Sequence, residues 1–164
     1  MKKATSLFMT ALILFNLGSC HSNLVSYSDA QPCTELSEIA LDSFDSPTNY
    51  TTANELFLTD YFETPSYVMD SVIRFASDSG NLNEIGIFHT TDGNAFQMAD
   101  LLKTYLMQSY EKNHSWYDSY IPAETPKLRD AEIRIYGNYV VYAILSKDSK
   151  NRLFQSIEDQ LRIS

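Results

Sequence analysis

Cysteine is scarce in this chain, whose 164 residues contain only Cys20 and Cys33. Small secreted domains that depend on disulfides need several cysteine pairs, so a disulfide framework is excluded. The cysteines and the three histidines also lack the spacings of a zinc site, and we expect no metal and no cofactor. Cys33 is interpreted as a small apolar core residue, with a reactive thiol or an intermolecular partner as the alternatives.

A hydrophobic run long enough to span a membrane is likewise missing from the sequence. The apolar stretch at residues 7–17 falls short of the ~20 residues that an ordinary spanning helix needs. Lys2 and Lys3 precede this stretch, and the small residues Gly18 and Ser19 follow it. This order of positive, apolar and small residues is typical of a secretory signal, so we predict a signal peptide at residues 1–19.

The residues at the end of this segment, Leu17-Gly18-Ser19-Cys20, resemble the lipobox of bacterial lipoproteins. In those proteins the cysteine receives a diacylglyceryl group and becomes the new N-terminus. We therefore expect a lipid anchor at Cys20, on the extracytoplasmic face of the cell membrane. Two acyl chains hold a protein stably at a bilayer, whereas one chain holds it only marginally. The alternative is a chance cysteine after either an ordinary signal peptide or an apolar N-terminal helix.

Basic residues are few compared with acidic ones. The chain has 12 lysines and arginines against 21 aspartates and glutamates, which gives a net charge of −9. Loss of Lys2 and Lys3 with the signal peptide would leave ten basic residues and a net charge of about −11, since residues 1–19 contain no acidic residue. Such a surface repels nucleic-acid phosphates and anionic lipid headgroups. We expect no nucleic-acid partner, and membrane attachment through the lipid alone.

The mature chain is long enough for one domain and a tether. Residues 20–31 are largely polar and show no clear period, which favours a flexible tether. Residues 32–164 are then a single domain. A domain of ~130 residues can bury roughly two thirds of its unfolded surface, so it needs no disulfides.

Apolar periodicity predicts four helices and four strands in this domain. Helical spacing predicts helices at 33–44, 54–62 and 95–117, and a last helix whose N-cap is Asp148 or Ser149. Runs rich in β-branched and aromatic residues predict strands at 67–76, 84–90, 131–136 and 139–145. This order favours an α+β fold, in which a four-stranded antiparallel sheet has the strand order 1-2-4-3 and the helices pack on one face.

The last two predicted strands flank Gly137-Asn138, which is a two-residue hairpin signal. A type I′ turn at this position would give both residues a positive φ and would pair Ile135 with Val140. Tyr136 then points away from the face that carries Ile135. In a sheet covered on one face only, that opposite side is exposed to solvent.

His89 and Asp92 are the candidate catalytic residues. A histidine–aspartate pair can act as a general base when a nucleophile lies close to it. Neither G-x-S-x-G nor H-E-x-x-H occurs in the chain, so no catalytic motif supports this role. A half-exposed residue at the end of a strand is the simpler interpretation of His89.

Trp116, Tyr117 and Tyr120, at the end of the long predicted helix, form the best candidate surface for binding a partner. Tryptophan and tyrosine combine a large apolar area with a polar tip, as contact residues of interfaces do. The same residues could instead seal the end of the hydrophobic core. The sequence leaves both interpretations open.

Five further features characterise the chain as a whole. They are the lipobox, the long helix after Asp92-Gly93, and the segments Glu84-Ile85-Gly86-Ile87-Phe88, Tyr117-Asp118-Ser119-Tyr120 and Gly137-Asn138-Tyr139-Val140. Together they resemble domain of unknown function family 4358, a group of bacterial lipoproteins, over residues 33–161. The resemblance implies an extracytoplasmic lipoprotein domain with no assigned activity and no catalytic residues to transfer.

These observations predict a non-enzymatic module that binds an envelope protein or a cell-wall ligand. The alternative is a small secreted hydrolase that uses His89 and Asp92. The two functions differ in the site they require, because a hydrolase needs converging polar side chains in a cleft and a binding module needs an accessible contact surface.

Overall fold

The computed structural model describes residues 25–45, 48–53 and 63–163. Cys20, the predicted signal peptide and the helix predicted at 54–62 lie outside the described residues. In chain order the elements are β1 (Ser26–Tyr27), α1 (Cys33–Asp42), β2 (Tyr50–Thr52), β3 (Val68–Ala76), β4 (Glu84–Thr90), α2 (Ala95–Tyr120), α3 (Thr125–Arg129), β5 (Glu132–Tyr136), β6 (Tyr139–Ile144), α4 (Lys147–Leu161) and β7 (Arg162–Ile163).

A five-stranded antiparallel sheet in the order β2-β3-β4-β6-β5 forms the centre of this α+β domain. The four predicted strands correspond to β3, β4, β5 and β6, and their predicted order 1-2-4-3 is confirmed. The predicted number of strands is wrong, because β2 adds a fifth strand beside β3. With only three residues, β2 is too short to show the apolar alternation that marks a strand in a sequence.

Helices cover both faces of the sheet, so the prediction that they pack on one face is wrong. α1 and α4 pack on one face, and α2 and α3 pack on the other. We call these the α1/α4 face and the α2/α3 face. The physical reason is visible in β6, where all six residues are buried, alternately in the two cores. A strand that is apolar on both sides must be covered on both sides.

The hairpin between β5 and β6 has the predicted register, with Ile135 opposite Val140. Its turn differs from the predicted one. Gly137 has a φ of +60°, whereas no residue other than glycine has a positive φ in the described parts of the chain. A positive φ at the first central residue alone corresponds to a type II′ turn rather than type I′. Tyr136 is only 3% exposed, so the side that we expected to face solvent is a second core.

The helices bury the apolar stripes that their sequences predict. The buried residues include Ala95, Met98, Leu102, Tyr105 and Leu106 in α2 and Leu153, Phe154, Ile157 and Leu161 in α4. The N-cap of α4 is Ser146, whose Oγ accepts a hydrogen bond from the backbone N–H of Ser149 at 3.3 Å. The predicted caps, Asp148 and Ser149, lie within the first turn instead.

The segment before α1, which the sequence predicts as tether, contacts the domain from Ser26 onward. β1 pairs with β7 in a small antiparallel sheet. The Tyr139 hydroxyl donates a hydrogen bond to the carbonyl oxygen of Gln31 at 2.7 Å. Residues 26–31 are therefore part of the folded domain. No helix within residues 25–45, 48–53 and 63–163 has the length and apolarity to cross a membrane.

Candidate functional site

The aromatic residues at the end of α2 form a connected strip. α2 extends to Tyr120, so Trp116 and Tyr120 are four residues apart on one helix and their side chains meet. Their ring centroids lie 4.9 Å apart with an interplanar angle of 29°. The Trp116 ring also meets the Tyr117 ring edge-on, at 5.4 Å. We call Trp116, Tyr117 and Tyr120 the aromatic strip.

The aromatic strip is exposed at one end and packed against the core at the other. Trp116 is 54% exposed and Tyr120 is 69% exposed. Tyr117 is only partly exposed, since it packs against the core between the sheet and α2. Trp116 and Tyr120 thus form a surface, and Tyr117 connects that surface to the α2/α3 core.

Tyr117 also lines a cavity of about 190 Å³ on the α2/α3 face. The wall of the cavity combines the end of β3, residues 81–84, four residues of α2 between Tyr105 and Tyr117, and single residues from α3 and β6. Apolar side chains form part of this wall. Its polar side chains, apart from two tyrosines, are Asn81, Asn83, Glu84, Ser109 and Asn113. The cavity can therefore hold a small ligand with both apolar and polar parts.

Glu84 is the acidic residue in the wall of the cavity. Its Oε1 accepts hydrogen bonds from the hydroxyls of Tyr105 at 3.0 Å and Tyr142 at 2.5 Å. Burial raises the pKa of the Glu84 carboxyl, and the two tyrosine hydroxyls oppose that shift. Burial and the neighbouring Glu84 charge also raise the pKa of Tyr142 well above its ordinary value, which keeps Tyr142 a hydrogen-bond donor.

Gly86 makes the space in which Tyr142 reaches Glu84. It lies directly opposite Tyr142 in the pairing of β4 with β6, and a Cβ at this position would come within 2.1 Å of the Tyr142 ring. Glu84 and Gly86 are two residues apart, so they lie on the same side of β4. Sequence reasoning missed Glu84. In the sequence, the only sign of this site is a glutamate two residues before a glycine in an apolar strand. This sign can be interpreted only when the residue opposite the glycine in the sheet is known.

Lys127, which lies near the cavity, is already paired. Its Nζ donates hydrogen bonds to Glu124 Oε2 at 2.7 Å and to Asn83 Oδ1 at 2.8 Å. Glu124 Oε2 also accepts the backbone N–H of Leu82 at 2.9 Å. Within the part of the chain that the structure describes, no lysine, arginine or histidine forms an ion pair with Glu84.

His89 belongs to a separate cluster near the N-terminal segment. It is 8% exposed rather than half-exposed as expected, and its ring stacks on Tyr139 with centroids 4.2 Å apart. His89 Nε2 lies 3.3 Å from Asp29 Oδ1. The Asn138 amide donates to Asp29 Oδ2 at 2.7 Å and to Asp92 Oδ1 at 2.6 Å. The partner of His89 is therefore Asp29, and Asp92 joins the cluster only through Asn138.

Cys33 is buried in the core of the α1/α4 face, where it is 0% exposed. Its Sγ lies 3.5 Å from the carbonyl oxygen of Asp70. Burial raises the pKa of the Cys33 thiol far above its ordinary value, and the Asp70 charge adds to the shift. A protonated and buried thiol is a poor nucleophile, which favours the interpretation of Cys33 as a core residue.

The described residues also contain no group of three or more His, Cys, Asp or Glu side chains that could hold a metal ion.

Comparison with known proteins identifies the family of the domain. The sequence profile of the family described as Domain of unknown function (DUF4358) matches residues 43–145, which is more than half of the chain. The matched region contains β2 to β6, the Glu84 cavity and the aromatic strip, whereas α1 and α4 lie outside it. No curated protein and no solved structure shows significant similarity to this sequence. The chain therefore belongs to the DUF4358 family of domains of unknown function.

Proposed function

We propose that this protein is a lipid-anchored module on the extracytoplasmic face of the cell membrane, and that it binds an envelope protein without catalysing a reaction. The lipobox that ends at Cys20 supports the anchor and the location. The exposed rings of Trp116 and Tyr120 support the binding role.

The stacking of two large, exposed aromatic rings on one helix is the observation that carries the binding role. Tryptophan and tyrosine are enriched among the residues that dominate binding energy, where one residue contributes about 2 kcal/mol or more. Because the rings of Trp116 and Tyr120 already stack on each other, these side chains lose less conformational entropy when a partner binds. The aromatic strip is therefore a preorganised contact surface.

The charge of the chain indicates a basic partner. The chain has a net charge of −9, and the exposed side chain of Asp118 lies on α2 two residues from Trp116. Opposite charges accelerate association at low salt and select against acidic competitors. A protein segment that carries lysine or arginine fits this surface best.

A small secreted hydrolase based on His89 and Asp92 has less support. His89 is paired with Asp29 and stacked on Tyr139, and Asp92 accepts its hydrogen bond from Asn138. A general base needs access to the proton that it removes. The burial of His89 argues against such access.

Photo-crosslinking from two positions on α2 tests the binding role. A photoreactive phenylalanine analogue replaces Tyr120 in one full-length variant and Phe96 in the other. Phe96 is the matched control, since it is 77% exposed at the opposite end of the same helix. Irradiation of intact cells should give a protein adduct from position 120 and none from position 96. The lack of an adduct at position 120, or identical adducts from both positions, would contradict the proposal.

Mass spectrometry of the mature N-terminus tests the anchor. The wild-type chain should begin at Cys20 and carry a diacylglyceryl group, and Cys20→Ser should abolish both the acylation and the membrane attachment. Cys33→Ser is the control, because it removes the other thiol and should leave the lipid in place. An unmodified wild-type chain that begins at another residue would disprove the anchor.

A further inference from the structure

We infer that the Glu84 cavity is a binding site for a primary ammonium group, presented as a lysine side chain by the protein that contacts the aromatic strip. This inference rests on the proposed function and deepens it, since it names the chemistry by which the partner is recognised. Three features of the cavity carry it: the Glu84 oxygen that accepts no hydrogen bond from the described residues, the size and lining of the cavity, and its position beside Tyr117.

The carboxylate offers one oxygen to a ligand. The hydroxyls of Tyr105 and Tyr142 both donate to Glu84 Oε1, and Oε2 accepts no hydrogen bond from the described residues. Glu84 is partly buried in the wall of the cavity. A carboxylate in such a position interacts strongly with a charged donor, because solvent screens the interaction less there than at the surface. Glu84 Oε2 is therefore the atom that a ligand in this cavity would contact.

The described residues supply no positive charge of their own to this carboxylate. Lys127 is held by Glu124 and Asn83 through hydrogen bonds of 2.7 and 2.8 Å. Two neutral hydroxyls offset only part of the cost of burying a charge, and a cation beside Oε2 would offset more of it. The electrostatics of the site thus select a positively charged ligand.

The size of the cavity favours a single alkyl chain. Its volume of about 190 Å³ lies below the ~300–1,000 Å³ of pockets for drug-sized ligands. It is close to the ~150 Å³ of a cavity that accepts a benzene-sized molecule. Apolar wall residues such as Phe75 and Leu128 would cover the methylene groups of a lysine side chain.

The hydrogen bonds around Glu84 favour lysine over arginine. A guanidinium binds a carboxylate best through both oxygens, in a bidentate pair. Oε1 already accepts two tyrosine hydroxyls, so only Oε2 is available. An ammonium group is a compact charge that can bind through one oxygen.

Tyr117 joins the cavity to the aromatic strip. Its side chain lines the cavity, and the centroid of its ring lies 5.4 Å from that of the Trp116 ring. A peptide backbone that lies across Trp116 and Tyr120 is thus in position to direct one side chain into the cavity. The cavity and the strip form one continuous recognition site.

Two small ligands test the cavity on the mature wild-type protein. Nα-acetyl-lysine methylamide carries the ammonium group, and Nα-acetyl-norleucine methylamide has the same backbone and alkyl chain without it. In an NMR titration we expect only the lysine ligand to shift the amide signals of Glu84, Ser109 and Tyr117. If neither ligand binds, or if both bind equally, the inference is wrong.

Two matched variants then assign the interaction to Glu84. Glu84→Gln keeps the size of the side chain and an acceptor for the tyrosine hydroxyls but removes the charge. Glu111→Gln removes an exposed charge of α2 whose side chain is not part of the cavity wall. We expect Glu84→Gln to weaken lysine-ligand binding about tenfold or more and Glu111→Gln to leave it nearly unchanged. Equal losses in both variants would overturn the assignment. If Glu84→Gln fails to fold, the two-ligand comparison on the wild type still decides.

The cross-link from position 120 separates this inference from the proposed function. An adduct that persists in the Glu84→Gln background means that the strip binds a partner without a lysine in the cavity, so only the inference fails. The absence of an adduct in the wild-type background means that the proposed function itself fails. An adduct that is lost with Glu84→Gln and kept with Glu111→Gln supports both.

Discussion

The two faces of the sheet differ in how much access packing leaves to their polar and reactive side chains. On the α1/α4 face, Cys33 is 0% exposed and His89 is 8% exposed. On the α2/α3 face, Glu84 lines a cavity and its Oε2 accepts no hydrogen bond from the described residues, and Trp116 lies at the surface. Cysteine and histidine are the residue types that first suggest chemistry in a sequence. The comparison shows that such types indicate a site only where packing leaves them accessible.

The alternation of side chains along β4 produces this difference. Successive residues of a strand point to opposite faces. The α1/α4 side of β4 carries Ile85, Ile87 and His89. The α2/α3 side carries Glu84, Gly86 and Phe88. A shift of one residue in the register would exchange the two sets and move His89 to the α2/α3 face.

A charge in the α1/α4 core should cause the largest loss of stability. Tyr136→Asp removes a ring that meets Tyr27 edge-on at 5.6 Å and a hydroxyl that donates to the Phe154 carbonyl oxygen at 3.0 Å. It also buries a carboxylate. We expect the free energy of unfolding in urea to fall by ~3–5 kcal/mol. A loss below ~1 kcal/mol would show that Tyr136 is not buried in the core of the α1/α4 face.

The thiol of Cys33 should be strongly protected from alkylation. Because it is buried and its pKa is raised, it can react only when the domain opens. We expect iodoacetamide to modify Cys33 on the order of 10²-fold more slowly in the native mature protein than in urea, as measured by mass spectrometry. Equal rates would restore the interpretation of Cys33 as a reactive thiol.

Glu84→Gln should change how stability depends on pH. A carboxyl whose pKa is raised in the folded state makes its full contribution to folding stability below its ordinary pKa of 4.5. That contribution is lost as the pH rises through the folded-state pKa. The wild type should therefore lose stability relative to Glu84→Gln as the pH rises above 4.5. Urea unfolding of both proteins below and above this pH measures the difference. A gap that stays constant, or that changes in the opposite direction, would place Glu84 in a more solvated environment.

Trp116→Ala should have the smallest effect on stability. Trp116 is 54% exposed and lies outside both core clusters, so we expect the free energy of unfolding to change by ~0.5 kcal/mol or less. Phe154→Ala is the control for a buried aromatic ring, with an expected loss of ~3–5 kcal/mol. Similar losses of unfolding free energy in the two variants would mean that Trp116 is part of the hydrophobic core.

Local sequence patterns predicted the features that depend on neighbouring residues. The four main strands, the register of the β5–β6 hairpin and the buried stripe of α4 follow from alternation, turn chemistry and helical spacing. The long-range pairs did not follow, because nothing in the sequence brings Asp29 to His89 or Gly86 to Tyr142. The second covered face did have a signal, the uninterrupted apolar run of β6.

The candidate site divides in the same way. The residues of the aromatic strip were predicted from their type and position, and the choice between core and surface required the packing of α2. The Glu84 cavity was not predicted, since its wall combines residues from β3, β4, β6, α2 and α3 that are distant in the sequence. Sites assembled from several elements become visible only when the topology is known.

Quenching of tryptophan fluorescence by acrylamide tests the central claim, that the aromatic strip is an accessible surface. Trp116 is the only tryptophan in the chain, so the signal of the mature protein reports on this residue alone. We predict a quenching constant for the native protein of about half the value in urea, in line with the 54% exposure of Trp116. A native protein whose fluorescence acrylamide hardly quenches would contradict the account, because Trp116 would then seal the core.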